Sequence, residues 1–582
     1  MSGAQHGSDG SLVALGAGVG SKAERLKLES HGLSGTLREE LQEEGARFSE
    51  ENAQLLKFHG VYQQEDRDAR QARKAAGTEK AYMFMVRSRI PGGALNAAQY
   101  LTQDDLAERY GNGSLRITTR QGFQLHGVLK GDLHDAIHEI NEALLSTLAA
   151  CGDVNRNVMA CPAPAASAAQ AQIQQVAHQI AAHLAPRATA YHEIWVDGEQ
   201  VHTVAAADEQ VEEPIYGATY LPRKFKIGVA APGDNCIDTY TQDIGLAAHV
   251  DDGQLAGFTV LIGGGMGMTH GKTETYPRLA TPLCFVTPEE VLEVVETIVT
   301  IQRDYGDRQN RKHARMKYLV EERGIAWFRA ETERRLKRFL CSPRPVAWEG
   351  AHDHLGWHEQ ADGRWYLGLL VDSGRVKDTE EVRMRTALRR VMEQFAPGVR
   401  LTAQQNVLLT DIEASDRDAI TALLAAHGVS TDAEAAGHVR RYALACPALP
   451  TCGLALAEAE RVLPDVVAQL EETMAELGLA GEPLSVRMTG CPNGCARPYM
   501  GDIGFVGRTK DVYNIYIGGD WANTVLTTLY APSVRLADLA TTVRPLLEIW
   551  RDARNAAESF GDFAQRWGIE RLRHYVEQGQ TA

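Results

Sequence analysis

ACPALPTCG at residues 445–453 and TGCPNGCAR at residues 489–497 decide how this chain is read. The first carries Cys446 and Cys452 in a C-x5-C spacing, the second Cys491 and Cys495 in C-x3-C, and 38 residues separate the pairs. The segment between them, LALAEAERVLPDVVAQLEETMAELG, predicts a helix over 454–478. Each pair sits among Pro and Gly, in loops whose backbone N–H groups are free to point at sulfur. Four thiolates gathered this way call for a metal centre. Structural zinc favours gaps of about two to four residues between paired ligands. A wider gap in small-residue loops suits a bulkier iron–sulfur cluster. Buried structural cysteines are the plain alternative.

Working outward, the whole chain is a globular sequence of 582 residues, 44% hydrophobic and 23% charged. At roughly 150 residues per domain it holds about three or four domains or one large intertwined unit. Sixty Lys and Arg against 76 Asp and Glu give a net charge of −16. That argues against non-specific binding to nucleic acid or anionic membrane. No apolar run approaches the roughly 18 residues of a spanning helix. The N-terminus has no Lys or Arg before Lys22 and so lacks the charged start of a secretory signal. A cytoplasmic protein with a floppy Gly/Ser-rich tail over 1–22 is expected. Nine cysteines, an odd count, argue against a disulfide framework. Cys151, Cys161, Cys236, Cys284 and Cys341 are scattered and have no assigned role.

An internal echo points to duplication. AYMFMVRSRIPGG (81–93) reads as a strand ending in a Gly turn, and so does WYLGLLVDSGRV (365–376). SLRITTRQGFQLHGV (114–128) is echoed by RLTAQQNVLLTDI (400–412). At an offset of 284 Tyr82 meets Tyr366, Arg116 meets Arg400, Thr118 meets Thr402, Gln121 meets Gln405 and Leu125 meets Leu409. A two-copy αβ unit predicts a pseudo-symmetric body with a site at the seam. HEIWVDG, KFKIGVA and FTVLIGGG read as strands alternating with helical stretches in the middle of the chain. Residues 23–75 read as a charged, helix-prone arm rather than core. LIGGGMGMTHGKT (261–273) is a near miss for a P-loop: the glycine required five residues before Gly271 is replaced by Met266, and no helix follows. Nor does the run make a dinucleotide fingerprint. Its glycines suit close backbone approach to a large planar ligand.

ACPALPTCGLALAEAERVLPD followed by MTGCPNGCARPYMGDIGFVG resembles the sirohaem/[4Fe–4S] signature of the sulfite and nitrite reductase family. The resemblance runs from LKFHGVYQQEDRD (56–68) to SFGDF (559–563) and is closest to the NADPH-dependent haemoprotein branch. It implies an α+β, pseudo-two-fold symmetric, three-domain body with a duplicated αβ module. The segments expected are a tail and arm over 1–75, a first half-module over 76–150 and a sirohaem and substrate domain over 151–345. A second half-module over 346–435 and a [4Fe–4S] domain with terminal helices over 436–582 complete the set. By resemblance Cys446, Cys452, Cys491 and Cys495 hold the cluster, and Cys495 also bridges to the sirohaem iron.

Sirohaem carries eight carboxylates and sulfite is a dianion, so an acidic chain needs concentrated local cations. Each candidate alone reads as a solvated surface charge. Lys224 and Lys226, sharing a face in LPRKFKIGV, are less ordinary because one face of a strand is usually buried. Arg87 and Arg89 alternate in MVRSRI. By resemblance Arg87, Arg156, Lys224 and Lys226 are the substrate-anion residues. Arg116, Thr118, Arg120, Gln124, Gln405 and Asn493 match cofactor contacts, with Arg315 and Lys317 as looser transfers. The implied reaction is the six-electron reduction of sulfite to sulfide, with nitrite as the alternative substrate. No flavin or nicotinamide motif is present, so electrons come from a partner: a flavoprotein subunit by resemblance, or a ferredoxin.

Overall fold

The echoed segments fold as two copies of one αβ module that exchange a strand. The computed structural model describes residues 20–164, 167–187, 189–196 and 213–578; most of the expected floppy tail lies outside them. The first module contains β1 (Val61–Glu65), β2 (Tyr82–Arg87), β3 (Ala94–Leu95), helix Ala97–Arg109, β4 (Leu115–Ile117), β5 (Phe123–Val128) and helix Leu133–Glu142. The middle segment contributes β6 (Met159–Ala160), β7 (Ile227–Ala230), β8 (Gly233–Asp234), β9 (Ile244–Asp251), β10 (Gln254–Ile262), β11 (Thr281–Val286) and then β12 (Trp348–Gly350). The second module contains β13 (Gly356–Glu359), β14 (Trp365–Leu369), β15 (Arg375–Val376), helix Met384–Phe395, β16 (Gly398–Leu401), β17 (Val407–Ile412) and helix Arg417–Ala425. The last part holds β18 (Ala443–Ala445), β19 (Val486–Thr489), β20 (Ile503–Thr509), β21 (Val512–Ile517) and β22 (Thr528–Arg535).

The module sheets run β1-β2-β5-β4-β15 and β13-β14-β17-β16-β3. Each short strand after a Gly turn therefore leaves its own module and pairs with the other. Close backbone approach makes this possible. Gly93, at φ 70°, and Gly374, at φ 73°, sit where a Cβ would lie 2.5 Å from Leu401 O and 2.3 Å from Ile117 O respectively. Only glycine tolerates both the left-handed backbone and that contact.

Pairing register corrects the sequence echo. Val86 faces Leu125 as Leu367 faces Leu409, and Arg116 faces Gln124 as Arg400 faces Leu408. The hairpins are related by 284 residues (409 − 125), but the first strands by 281 (367 − 86). Tyr366 is thus the counterpart of Met85, not of Tyr82. A three-residue slip is odd, so the sequence match joined residues of opposite sheet faces.

The middle sheet is ordered β11-β10-β9-β7-β6, with β6, β7 and β9 parallel. Three readings of the sequence fail. HEIW belongs to helix Thr189–Trp195, whose Tyr191, Ile194 and Trp195 are buried on one side, at helical rather than alternating spacing. The arm is not peripheral: β1 joins the first module's sheet, and Leu33, Leu37, Phe48 and Leu55 belong to the main core. The helix between the cysteine pairs begins only at Leu463, with Pro464 in its first turn. Before it, Leu456 and Ala457 donate N–H to Gly490 O, strapping the first cysteine loop to the second.

One apolar core runs through both modules and the middle sheet; a second, from Val439 to Leu572, fills the last domain. Buried ion pairs occupy the seam between them.

Candidate active site and metal centre

The cysteine pairs meet because of strand topology. β18 and β19 are parallel neighbours, Ala445 beside Met488, with helix Leu463–Glu476 on the crossover between them. Parallel strands end on the same side. Cys446 follows β18 and Cys491 lies two residues beyond β19, so both loops open there. The thiols crowd one another: burial first, then Cys495, Cys452 and Cys491, push Cys446 well up. Burial and Cys495 also raise Cys452 and push Cys491 up to about 12. Gly490 donates its N–H to Cys446 Sγ at 3.3 Å, and Asn493 Nδ2 approaches Cys491 Sγ at 3.5 Å. The group of ligand-type side chains that converges within 4.8 Å among the described residues lies elsewhere, at Cys161, Asp234, Cys236 and His354. Among the described residues no three of the paired cysteine sulfurs converge within 4.8 Å, whereas four Zn–S bonds of about 2.3 Å would impose an edge of roughly 3.8 Å.

The repeated turns of both modules dock on this centre. In each, a Thr hydroxyl accepts a backbone N–H: Gly122 N to Thr118 Oγ1 (3.2 Å) and Asn406 N to Thr402 Oγ1 (2.9 Å). Gln121 and Gln405 follow with positive φ, and each reaches across to the other module: Gln121 Nε2 to Leu401 O (2.9 Å), Gln405 Nε2 to Ile117 O (3.5 Å). Thr119 Oγ1 donates to Cys495 O at 3.0 Å. Arg497, two residues past Cys495, donates to Thr119 O (3.2 Å) and Ala403 O (3.0 Å), joining both turns to the cysteine loop. Buried Asp238 holds Arg497 and Arg487 in place.

The cations gather beside Cys495. Lys224 and Lys226 lie on extended backbone just ahead of β7, on either side of buried Phe225, which bridges to Asn155. Neither ammonium has a hydrogen-bond or ion-pair partner among the described residues. Burial, then Arg156, Arg223 and Arg315, hold Lys224 well below the usual lysine range; Cys495 pulls the other way. Burial, then Lys224, Arg120 and Arg315, do the same to Lys226. Arg156 Nη2 donates to Tyr62 Oη at 3.4 Å and its buried Nε is unpaired. Arg87 Nη1 contacts Cys151 Sγ at 3.0 Å, while the Gln124 amide oxygen accepts from its Nε at 3.3 Å. Arg120 spans Gln242 Oε1 (2.8 Å) and Ile227 O (3.2 Å), and burial with Arg156 lowers it to about 9.

Other expected contacts are already engaged. Arg116 donates to Glu460 Oε2 (3.0 Å) and to Ala445 O (2.8 Å), beside the first cysteine. Arg315 is paired with buried Asp243, its Nη2 reaching both carboxylate oxygens at 3.1 and 2.9 Å. Lys317 spends its three donors on the carbonyls of Gly265 (3.2 Å), Gly267 (2.8 Å) and Tyr276. Burial and Arg315 lower it to about 7. Lys317 therefore braces the Gly-rich run and has no donor left for a ligand. That run abuts the second cysteine loop: Met268 N–H donates to Pro492 O at 2.9 Å. Arg89 stands apart, half-buried and bonded to Ala181 O. Sequence reading missed Glu460, Asp243, Asp238 and Arg497, whose partners lie far away in the chain and leave no local pattern.

The family described as "Nitrite and sulphite reductase 4Fe-4S domain" matches residues 175–340 and 437–581. The "Nitrite/Sulfite reductase ferredoxin-like half domain" matches residues 77–143 and 358–427. The chain belongs to the nitrite and sulfite reductase family. "Sulfite reductase [NADPH] hemoprotein beta-component" of Paenibacillus sp. (strain JDR-2) is 47% identical over 553 residues, 95% of this chain and 96% of the relative. "Sulfite reductase [ferredoxin]" of Synechococcus elongatus is also 47% identical, over 96% of this chain and 91% of the relative. The solved Mycobacterium tuberculosis NirA protein shares the fold, with a TM-score of 0.77 at 23% identity over 95% of this chain and 97% of that one.

The cofactors of this family member are sirohaem and a [4Fe–4S] cluster, and the residues present fit both. Thiols spread over two loops, with N–H groups aimed at sulfur, match a cubane rather than a single ion. Unpartnered cations and orphaned buried guanidinium nitrogens, Arg120 Nε and Arg156 Nε among them, match a flat polyanion. Among the described residues no helix is long and apolar enough to cross a membrane.

Proposed function

We propose that the site reduces sulfite to sulfide, with Arg87, Arg156, Lys224 and Lys226 as the substrate-binding and proton-delivering residues. The observation that carries this reading is the pair Lys224 and Lys226. Two crowded, half-buried ammonium groups without a partner are costly unless an anion completes them. Cys446, Cys452, Cys491 and Cys495 would hold the cluster. Arg120, Gln124, Gln405 and Asn493, with the free edge of Arg116, would face the sirohaem. When bound, the two cofactors supply electrons one at a time.

The chain's own residues do the rest. Arg156 and the lysines draw the oxyanion in and polarise its S–O bonds. Each oxygen leaves as water and so needs protons. Burial and neighbouring cations weaken the hold of Lys224 and Lys226 on theirs, which makes them better donors than free lysine. Tyr62 and Gln124 fix the Arg156 and Arg87 guanidinium groups, and Asp243 holds Arg315 so that its charge acts on the lysines without moving.

The relative from Paenibacillus supports a flavoprotein subunit as electron donor; the equally similar one from Synechococcus elongatus supports a ferredoxin. Steady-state rates with sulfite and nitrite, each fed by either donor, test the reading. Sulfite turnover with a flavoprotein donor is expected to prevail. Faster nitrite turnover at low concentration would overturn the substrate, and activity with ferredoxin alone would overturn the donor.

A further inference from the structure

A second group of metal-binding side chains lies outside the machinery described above. Cys161 follows β6, Asp234 ends β8, Cys236 lies two residues on, and His354 sits in the loop after β12. One ligand atom from each falls within 4.8 Å of all the others. Cys161 Sγ is 3.4 Å from Asp234 Oδ2 and 3.9 Å from His354 Nε2, and Asp234 Oδ2 is 3.0 Å from His354 Nε2. We propose that Cys161, Asp234, Cys236 and His354 form a closed structural site for a zinc-class divalent cation.

The separations of 3.0, 3.4 and 3.9 Å bracket the ~3.3–3.8 Å edges of a tetrahedron built on Zn–S bonds of ~2.3 Å and Zn–N or Zn–O bonds of ~2.0–2.2 Å, so shifts of a few tenths of an ångström close the site. The ligands are held by the fold. The second carboxylate oxygen of Asp234 accepts N–H groups from Cys236 (2.9 Å) and His352 (3.1 Å), which turns Oδ2 towards the thiols and the imidazole. Cys161 N–H donates to Val229 O at 3.1 Å, fixing the loop beyond β6. His354 is held at φ 58°, and Gly368 makes room for it: a Cβ there would lie 1.9 Å from His354 O. Exposures of 4% at Cys161, 7% at Asp234 and 0% at Cys236 leave little water at the group, and the charge that now balances Asp234 is the His354 imidazolium, raised to about 10; a divalent cation would take over that role. Four protein ligands leave no open position, so the site is structural rather than catalytic. Zinc would displace both thiol protons and the His354 Nε2 proton to solvent. It would tie β6, and with it the Arg156 loop, to the β8–β12 pair that leads into the second module.

The test uses the full-length, cofactor-loaded protein. Elemental analysis is expected to find about one zinc per chain. Zinc K-edge absorption is expected to show two sulfurs at ~2.3 Å and two N/O atoms at ~2.0–2.1 Å. Cys236→Ser should lose at least tenfold in zinc content while keeping the visible cofactor spectrum. His354→Gln leaves both thiols in place and covers the case in which Cys236→Ser does not fold; it should give up zinc to a chelator at least tenfold faster. Wild-type protein holding less than about a tenth of a zinc per chain after incubation with zinc would overturn the proposal. So would a Cys161–Cys236 disulfide in peptide mapping, or zinc that survives these substitutions but leaves in Cys491→Ser.

Discussion

Glu460→Gln removes the carboxylate that holds buried Arg116 and half-buried Arg375 at the seam between the two cores. Arg116 on β4 and Arg375 on β15 are cross-strand neighbours, two like charges side by side. Glu460 neutralises both, at 3.0 Å from Arg116 Nε and 2.7 Å from Arg375 Nε. Against the upward push of burial, the two arginines hold its carboxyl from the usual 4.5 down to about 2. At about 1.4 kcal/mol per pH unit that drop is worth roughly 3 kcal/mol. The value agrees with the ~3–5 kcal/mol lost when one partner of a buried ion pair is removed. A depressed carboxylate contributes fully above its unfolded pKa, and its contribution is lost as pH falls through the folded one. The gap between wild type and Glu460→Gln should therefore be full at pH 7 and close between pH 4.5 and about 2. Urea unfolding followed by cofactor absorbance and tryptophan fluorescence measures it. With a slope of about 3 kcal/mol/M the midpoint should fall by about 1 M at pH 7. An unchanged midpoint at pH 7, or a gap that stays constant into acid, would refute the reasoning.

Lys226→Met should keep the visible spectrum of both cofactors and lower sulfite turnover by about two orders of magnitude; an unchanged rate would take Lys226 out of the site. In the wild type the depressed lysines lose their protons below the usual lysine range, so turnover should fail on the alkaline side earlier than a free lysine would dictate. Cys495→Ser should abolish both the coupled cluster and sirohaem retention, read by optical and EPR spectra; a normal spectrum would contradict the ligand assignment. His59 is buried, accepts from Trp195 Nε1 at 2.7 Å, and burial lowers it to about 4. Its neutral form stabilises the arm fully above about pH 6.5, so hydrogen exchange over residues 30–60 should quicken as pH falls from there towards 4; exchange independent of pH once corrected for its intrinsic rate would refute this.

The two cysteine pairs, the duplicated hairpins and the lysines at i, i+2 were legible because each is a local pattern: a spacing, a repeated turn, an alternation. Local rules also named the limits of that reading. HEIW passes for a strand until burial on one helical side is seen, and Tyr82 pairs with Tyr366 only until the ladder shifts the first strand by three residues. Arg116, Arg315 and Lys317 could be recognised as cations, but not that Glu460, Asp243 and three loop carbonyls had already claimed them. Ligand chemistry and duplication are properties of neighbouring residues, so the chain order carries them. Which charges stay unpaired, which strands cross between modules and which scattered cysteines converge with Asp234 and His354 depend on contacts between residues far apart in the chain, and only the folded packing sets those.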